Sequence, residues 1–562
     1  MKRAMLSVLL MLVIVIDAFP QPDSTKQKKD FPVKITGTLG ITTYFYNVEG
    51  RDASRQPFSW VLTGSPTVSM YGVDMPFQFL VGEQQREFRQ PFNKFGLSPQ
   101  IKGVTLHLGY RNLTFSPYSL GGHTIFGVGA EGSVKKVRFG AVYGRLLRSV
   151  APITDFEEFS TSVINPSFQR MGYSMKLGYG TESNYLDLIL FGAIDQQNSI
   201  ELDSLPSNFR PEENMVLSVV TKQKIGEHFM FSAELATAAL TSDITAYSDG
   251  VDTMDLPFNP ARSLVFENGT TQTGNVIDAA GGYVSDHFSL NMHLKRIDPN
   301  FVSNGAYFFQ NDVQNITVEP RFTFMEKKLE FGASVGRQKD NLDEEKLLQT
   351  NRNIGSATIR FADGPFQADA SFSNYDIGQK QGVTTMDSLY RISQTTRNLM
   401  FNLAYTLAGE KNVVALIANY NYQQMHDKSE NTTYNADFGN HTFVTTFFVT
   451  NLKHSLSGGV LFNYTNYSSD QVTMSYMGPS FTLSKMLAKG KLSLNASYSL
   501  FNNNQDQQKY STLNVLSVGS SLRLNKQNRL RFRYSRNNGK YFTTVNPEYT
   551  ENKGEISYVY TF

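Results

Sequence analysis

The chain has 562 residues, a formal net charge of +2 and no cysteine. The near-neutral charge gives no support to nucleic-acid binding. The lack of cysteine excludes disulfides, a lipid-modified cysteine anchor and cysteine-bound zinc or iron–sulfur centres. Charged residues make up 18% and aromatic residues 13% of the chain. Soluble domains usually carry more charge, whereas strands that are half apolar and half polar give this composition in membrane β-barrels.

The start of the chain has the pattern of an export signal. Lys2 and Arg3 precede an apolar run over 4–16. A run of about 13 residues is too short to cross a membrane as a helix and suits the core of a signal peptide. We therefore predict a signal peptide over 1–18 and a short periplasmic segment over 19–32. Beyond the signal, no apolar run approaches the roughly 20 residues of a membrane helix.

From residue 33 onward, apolar and polar residues alternate repeatedly. The alternation is strict at 315–324, 399–407, 492–500 and 530–535. This period of two predicts half-buried β-strands. A soluble β-sandwich also alternates, but here the pattern continues without a domain break, which is long for one sandwich. We therefore predict one all-β domain over 33–562.

Two kinds of connection separate these strands. One kind is tight and charged, as in short hairpin turns, and occurs at 102–103, 135–136, 182–183, 226–228, 285–286, 326–328, 363–364, 410–411, 452–453, 489–490 and 526–527. The other is long and polar, and occurs at 149–167, 196–213, 241–275, 340–349, 376–392, 425–437 and 502–510. This asymmetry is typical of transmembrane barrels with short periplasmic turns and longer outer loops. It predicts an antiparallel up-and-down barrel of about 26 strands, or 24 as the alternative, with no plug domain and both ends on the short-turn side.

Side-chain parity also predicts which residues face the lumen. Charged side chains facing lipid would cost about 2–4 kcal/mol near the midplane, so they belong inside. The predicted inward polar residues are His107, Arg111, Arg138, Glu234, Glu319, Arg321, Arg360, Asp369, Asn402, Asn419, Arg523, Arg531, Arg533 and Glu555. Most of them are expected to form a wet wall with cross-strand pairs. Arg523, Arg531 and Arg533 lie on adjacent strands and could form a basic patch that favours anions.

The segment 104–148 differs from the rest. Its connection is less polar than the other outer loops and contains Gly121-Gly122-His123, which permits close backbone approach. We interpret it either as an inward-folded constriction carrying Arg111, Tyr118, His123 and Arg138, or as an ordinary packed hairpin loop. The segment is similar to uncharacterised outer-membrane proteins of the Bacteroidota type, over about a tenth of the chain.

The last strand alternates to the final residue. Ile556, Tyr558, Tyr560 and Phe562 share one face, opposite the more polar face of Glu555, Ser557, Val559 and Thr561. This strand resembles the C-terminal strand of Gram-negative outer-membrane β-barrels. The resemblance implies that Tyr558, Tyr560 and Phe562 act as an assembly signal read by the barrel-assembly machinery, and that the protein lies in the cell outer membrane.

No metalloprotease, nucleophile-elbow or phosphate-loop motif occurs, so we expect neither an enzyme nor a cofactor or metal. Barrels of 16–18 strands already leave an aqueous channel, which favours a porin-like solute channel or transporter narrowed by inward loops or a partner. The alternative is an assembly subunit whose lumen another protein fills. Expected contacts are outer-membrane lipid, lipopolysaccharide, the assembly machinery and, for the alternative, a periplasmic protein or lipoprotein. No nucleic-acid partner is expected.

Overall fold

The computed structural model describes residues 33–70, 73–82, 94–101, 103–151, 166–200, 209–247, 259–306, 309–383, 391–430, 436–542 and 548–562. The predicted signal peptide and the segment 19–32 lie outside the described residues. Within the described part of the chain, no helix is long and apolar enough to cross a membrane. Single turns of 3₁₀ helix occur at Gln197–Ser199, Arg262–Leu264, Met325–Lys327 and Ala488–Gly490.

The described residues form a closed barrel of 26 antiparallel strands. Three of them, β1, β2 and β4, are each interrupted once. The strands are β1 (Val33–Thr36 and Thr38–Glu49), β2 (Phe58–Gly64 and Thr67–Met70), β3 (Val73–Gly82), β4 (Lys94–Leu97 and Gln100–Ile101), β5 (Val104–Leu113), β6 (His123–Val134), β7 (Val137–Leu147), β8 (Gln169–Gly180), β9 (Tyr185–Gln196), β10 (Glu213–Ile225), β11 (Phe229–Thr241), β12 (Thr271–Val284), β13 (Phe288–Ile297), β14 (Val313–Phe324), β15 (Leu329–Lys339), β16 (Leu348–Asp363), β17 (Phe366–Gln381), β18 (Ser393–Ala408), β19 (Asn412–Asp427), β20 (Phe438–Asn451), β21 (Leu456–Ser469), β22 (Thr473–Leu487), β23 (Leu492–Gln505), β24 (Gln508–Arg523), β25 (Asn528–Tyr541) and β26 (Tyr549–Thr561).

Each strand pairs with its neighbours in the chain, and the ring closes where β26 pairs with β1. The closing register runs from Thr38 opposite Thr561 to Glu49 opposite Thr550. A closed ring leaves no unpaired strand edge, which is a condition for crossing lipid. The all-β barrel of 26 strands predicted from the sequence is therefore confirmed, and the alternative of 24 strands is wrong.

Strand β9 shows how the wall divides into two faces. Leu186 and Leu188 are 55% and 56% exposed, whereas Asp187 and Ile189 are 3% and 0% exposed. An apolar face of this extent is expected against lipid rather than water. The opposite face is buried by contacts within the ring.

Aromatic side chains form a row on the outward face beside the short turns. The ring centroids of Phe229 and Tyr283 are 5.1 Å apart, and those of Phe288 and Phe322 are 5.0 Å apart. Aromatic girdles of this kind mark the boundary between membrane and water. With an apolar outer band on a closed ring, the chain is an outer-membrane β-barrel protein.

One predicted loop is wrong. Residues 502–510 do not form a long polar connection, because β23 and β24 continue to Gln505 and from Gln508. They are joined by Asp506 and Gln507, whose φ angles are 48° and 65°. Two left-handed residues make a type I′ turn, which normally carries Asn-Gly or Asp-Gly. Without a glycine, the sequence offered no signal for this turn.

Candidate functional site

Residues that pair across adjacent strands lie on the same face of the sheet, so the register identifies one face around the whole ring. Ion pairs lie on the inward face. Arg138 donates hydrogen bonds of 2.8 and 2.9 Å to Asp187. Arg360 donates one of 2.8 Å to Asp369. On β7 and β9, this polar face also carries the apolar side chains that pack inside the barrel. Arg138, Asp187, Arg360 and Asp369 therefore share one face of the sheet, as their parity in the sequence requires.

The connection between β5 and β6, residues 114–122, is buried against this inward face; we call it the inward loop. Tyr118 is 2% exposed and Leu120 is fully buried. They belong to one apolar cluster with Ile189, Phe191 and Val216 of the wall. Burying such side chains contributes roughly 1.5–3 kcal/mol each, so this packing holds the loop down.

A second connection, residues 298–306 between β13 and β14, clasps the inward loop; we call it the clasp. The Gly121 amide donates to the Gly305 carbonyl at 2.8 Å, and the Ser303 hydroxyl donates to the Ser119 carbonyl at 3.0 Å. Phe301 of the clasp is fully buried and meets the Tyr118 ring edge-on, with centroids 6.3 Å apart. The two connections thus support each other.

Asn214 on β10 fixes the clasp to the wall. Its side-chain amide donates to the Val302 carbonyl at 2.9 Å, and its side-chain oxygen accepts from the Asn304 amide at 2.8 Å. Asn214 is fully buried, so both bonds are shielded from water. Nothing in the local pattern distinguished this asparagine from the other polar inward residues, so it was not among the predicted residues.

Glycines allow these close approaches. A Cβ at Gly274 on β12 would lie 2.3 Å from the Phe301 backbone nitrogen, and one at Gly305 would lie 2.2 Å from the Ser119 carbonyl oxygen. A side chain at either position would push the clasp away from its contacts. Because 241–275 was predicted to be a connection, nothing in the sequence marked Gly274 for this contact.

A polar cluster lies beneath the inward loop. The Tyr118 hydroxyl donates to Asp278 on β12 at 2.5 Å. The other oxygen of Asp278 lies 2.6 Å from Nε2 of His293 on β13. Burial, together with the neighbouring Asp278, raises the pKa of the Tyr118 hydroxyl, so Tyr118 stays a neutral donor. The cluster therefore ties the loop to two strands.

Glu234 on β11 pairs across the sheet with Asp278 and belongs to the same cluster. It is 6% exposed, and its Oε1 has no hydrogen-bond partner among the described residues. The hydroxyls of Ser116, in the inward loop, and Ser218, on β10, lie near this carboxyl group. Two carboxyl groups, an imidazole and a phenol thus meet where the loop touches the wall.

The remaining residues of the predicted constriction have other partners. Arg111 donates a hydrogen bond of 3.2 Å to Gln78. His123 is buried, with Nδ1 3.1 Å from the Thr124 carbonyl oxygen. Arg138 is hydrogen-bonded to Asp187 on β9 of the wall. The structure therefore brings Tyr118 into the buried cluster, while the two arginines are held by wall residues.

The predicted basic patch lies at the short-turn end of the barrel. Arg523 stands opposite Arg529 in the register of β24 and β25. Arg531 and Arg533 follow on the same face, and Arg533 lies 3.5 Å from Glu555. Arg529 was missed by the sequence analysis, although it has the same parity. The patch is separate from the inward loop.

The predicted assembly residues lie at the closing seam. The Phe562 amide donates to the Gly37 carbonyl at 3.0 Å, and the Gly37 amide donates back at 2.9 Å. The rings of Tyr560 and Phe562 have centroids 5.4 Å apart. Their role as a signal stays a prediction.

The connection between β11 and β12, predicted over 241–275, does not fold inward in its described part. Ala261 packs with Met215 and Ala239, and these two share the lipid side of their strands. The Thr241 hydroxyl, also on the outward side, donates to the Phe266 carbonyl at 3.0 Å. This part of the connection therefore folds over the outside of the wall, because outward apolar residues are available there.

The described residues contain no group of three or more histidine or carboxylate side chains placed to hold a metal ion.

No family model and no curated protein matches this sequence. Among solved structures, the chain is similar to the translocation pore of the P pilus usher PapC, at 10% identity and a TM-score of 0.41, over 94% of this chain and 99% of the other. It is also similar to the siderophore receptor PirA from Pseudomonas aeruginosa, at 9% identity and a TM-score of 0.37, over 96% and 82% of the two chains. A third similar structure is OccAB2 from Acinetobacter baumannii, at 11% identity and a TM-score of 0.30, over 69% of this chain and 98% of the other.

With TM-scores of 0.41 or less, these similarities carry no functional conclusion for this chain. The resemblance of 104–148 to Bacteroidota-type proteins stays a prediction.

Proposed function

We propose that the protein is a non-enzymatic outer-membrane channel that passes solutes through a polar lumen narrowed by the inward loop and the clasp. The observation that carries this proposal is the burial of Tyr118 and Leu120 against the inward face of the wall. A loop that extended from the barrel mouth into solvent would leave such side chains exposed.

The width of the ring supports the proposal. Barrels of 22 strands already need a plug, and this ring has 26 strands. An open hole of that width would defeat the outer membrane as a barrier. Loops that fold into the ring reduce the free cross-section without sealing it, because they occupy one side only, along β5–β14.

Single-channel recordings test the proposal. Purified protein in planar bilayers is expected to show a modest conductance. Replacing 115–121 by a short Gly-Ser turn is expected to raise this conductance roughly twofold or more, since the narrowing loop is removed. The matched control shortens 52–56, an exposed connection between β1 and β2, and is expected to leave the conductance unchanged.

Two results would overturn the proposal. A folded barrel without any conductance would exclude a channel. A very large conductance in the unmodified barrel, with a second chain co-purifying from native membranes, would instead favour the assembly subunit whose lumen a partner fills.

A further inference from the structure

The wall on β18–β23 differs in charge from the rest of the lumen. The inward positions on these strands carry amide, hydroxyl, aromatic and aliphatic side chains, with Asp427 at the outer end as the single charged residue among those described. The amides include Asn402, Asn419, Asn463 and Asn495, on four strands. We call this surface the neutral wall.

The opposite side of the ring is charged. There the inward face carries the ion pairs Arg138–Asp187 and Arg170–Asp195, and also the inward loop. Strand β22 stands half-way round the ring of 26 strands from β9, which carries both aspartates. Among the described residues, the inward loop and the neutral wall therefore lie on opposite sides of the ring.

Aromatic rings lie on the neutral wall near its outer end. Phe438 and Tyr467 stack at a centroid distance of 5.7 Å with an interplanar angle of 28°. Tyr476 and Phe501 stack at 4.6 Å and 23°. All four have inward parity and lie near the outer ends of β20–β23. They form a partly exposed aromatic shelf at the entrance.

We propose that the neutral wall and its aromatic shelf select uncharged polyhydroxylated solutes, that is, oligosaccharides. This inference rests on the proposed channel function. The C–H faces of a sugar ring pack on aromatic rings, while its hydroxyls exchange hydrogen bonds with amides and hydroxyls, which both donate and accept. A path that selects ions would instead carry lining charges, and a path that selects apolar solutes would carry an apolar lining.

Block of the ionic current by maltohexaose tests the inference. The current through the unmodified channel is expected to fall with maltohexaose concentration and to saturate, as one site fills. The double variant Tyr467→Ala and Tyr476→Ala is expected to need roughly threefold to tenfold more sugar for half-block. Tyr464→Ala, on the outward face of β21, is the matched control and should behave like the unmodified channel.

A second variant tests the inference even if the Tyr467/Tyr476 double variant does not fold. Asn463→Asp adds one charge to the neutral wall without changing its shape, and is expected to shift the reversal potential toward cation selectivity. Asn466→Asp, on the outward side of the same strand, is the control and should not. An unchanged reversal potential in Asn463→Asp would overturn the inference, because the neutral wall would not line the path.

The outcomes separate the two proposals. A conducting channel with no saturable block by maltohexaose overturns the inference and leaves the channel function standing. Absence of conductance in a folded barrel overturns the channel function itself. Block that is equal in the Tyr467/Tyr476 double variant and in the unmodified protein would also overturn the inference, because the shelf would then not be the site.

Discussion

At the scale of single residues, Tyr118 connects the inward loop to the wall. Its ring packs against Phe301, and its hydroxyl donates to Asp278, which is 160 residues away in the chain. His293 approaches the same carboxylate from the next strand. A hydrogen bond to a charged group is stronger than one between neutral groups. The bond from Tyr118 to Asp278 therefore contributes more to holding the loop than an ordinary hydrogen bond would.

We expect Tyr118→Phe to loosen the inward loop without displacing the ring. The substitution removes a hydrogen bond to a charged group, which contributes about 1.5–3 kcal/mol, and keeps the apolar packing. Hydrogen–deuterium exchange of the amides in 114–122 should become roughly tenfold faster or more. Tyr143→Phe, at a lipid-facing position that is 55% exposed in the unmodified protein, is the control and should leave exchange unchanged. Equal exchange in the two variants would show that the hydroxyl does not hold the loop.

At the scale of strands and loops, the period of two governs the wall. Leu403 on β18 is 48% exposed on the outward face, while its neighbour Asn402 pairs with Asp369 and Asn419 on the inward face. One register shift would exchange the two faces, so the hydrophobic pattern fixes the register.

A lysine at each of these two positions therefore has opposite consequences. Leu403→Lys places a charge in lipid and should destabilise the folded barrel by about 2–4 kcal/mol, whereas Asn402→Lys stays in water and should be tolerated. Urea titration of barrels folded into vesicles measures the difference. Similar losses of stability in both variants would contradict the assignment of faces.

Outer connections are also tied to each other. Burial of the Asp312 carboxylate opposes ionisation, but hydrogen bonds from Lys346, Leu342 and Asn341 outweigh it and hold the pKa of Asp312 below its usual value. The carboxylate accepts from the Leu342 and Asn341 amides at 2.8 and 3.0 Å. Since the pKa is lowered in the folded state, this stabilisation is complete above the pKa of an unfolded aspartate and is lost as the pH falls through the lowered value.

Asp312→Asn should therefore loosen the connection 340–347 at neutral pH, where the native carboxylate is fully ionised. Amide exchange at Asn341 and Leu342 is expected to rise, with a loss of about 1–3 kcal/mol of local stability. The control is Asp343→Asn, at an exposed position in the same connection. In the native protein, exchange protection should be constant between pH 7 and about 5. A decline within that range would contradict the lowered pKa.

At the scale of the whole molecule, one seam closes the ring. Gly37 and Phe562 exchange two backbone hydrogen bonds there, and β1 pairs with β26 along its length. Until this seam forms, both edge strands remain open to other chains. The aromatic side chains on the outward face of β26 lie along this seam.

We expect Phe562→Asp to impair barrel closure more than Thr561→Asp. Phe562 shares the outward face with Tyr560 and contacts its ring, whereas Thr561 has inward parity. Heat-modifiable migration in gels measures the yield of folded barrel. Equal yields from the two variants would contradict the assigned orientation of the last strand.

The sequence predicted the wall better than the lumen. Strand number and most turns follow from local alternation and turn residues, and the faces assigned to residues such as Leu403 and Asn402 stay predictions that the two lysine variants test. The contacts Tyr118–Asp278 and Asn214–Val302 join segments 160 and 88 residues apart, which no local pattern encodes. The turn at Asp506 and Gln507 and the outward course of 259–266 were missed for similar reasons, because tertiary pairing and packing override local composition.

We infer that the inward loop and the clasp lie inside the ring of 26 strands. A cryo-EM map of the full protein in lipid nanodiscs tests it most directly. We expect continuous density for 114–122 and 298–306 against the inner side of β5–β14, with a water-filled passage along β18–β23. Density for 114–122 outside the wall, or a lumen filled by a second protein, would contradict it.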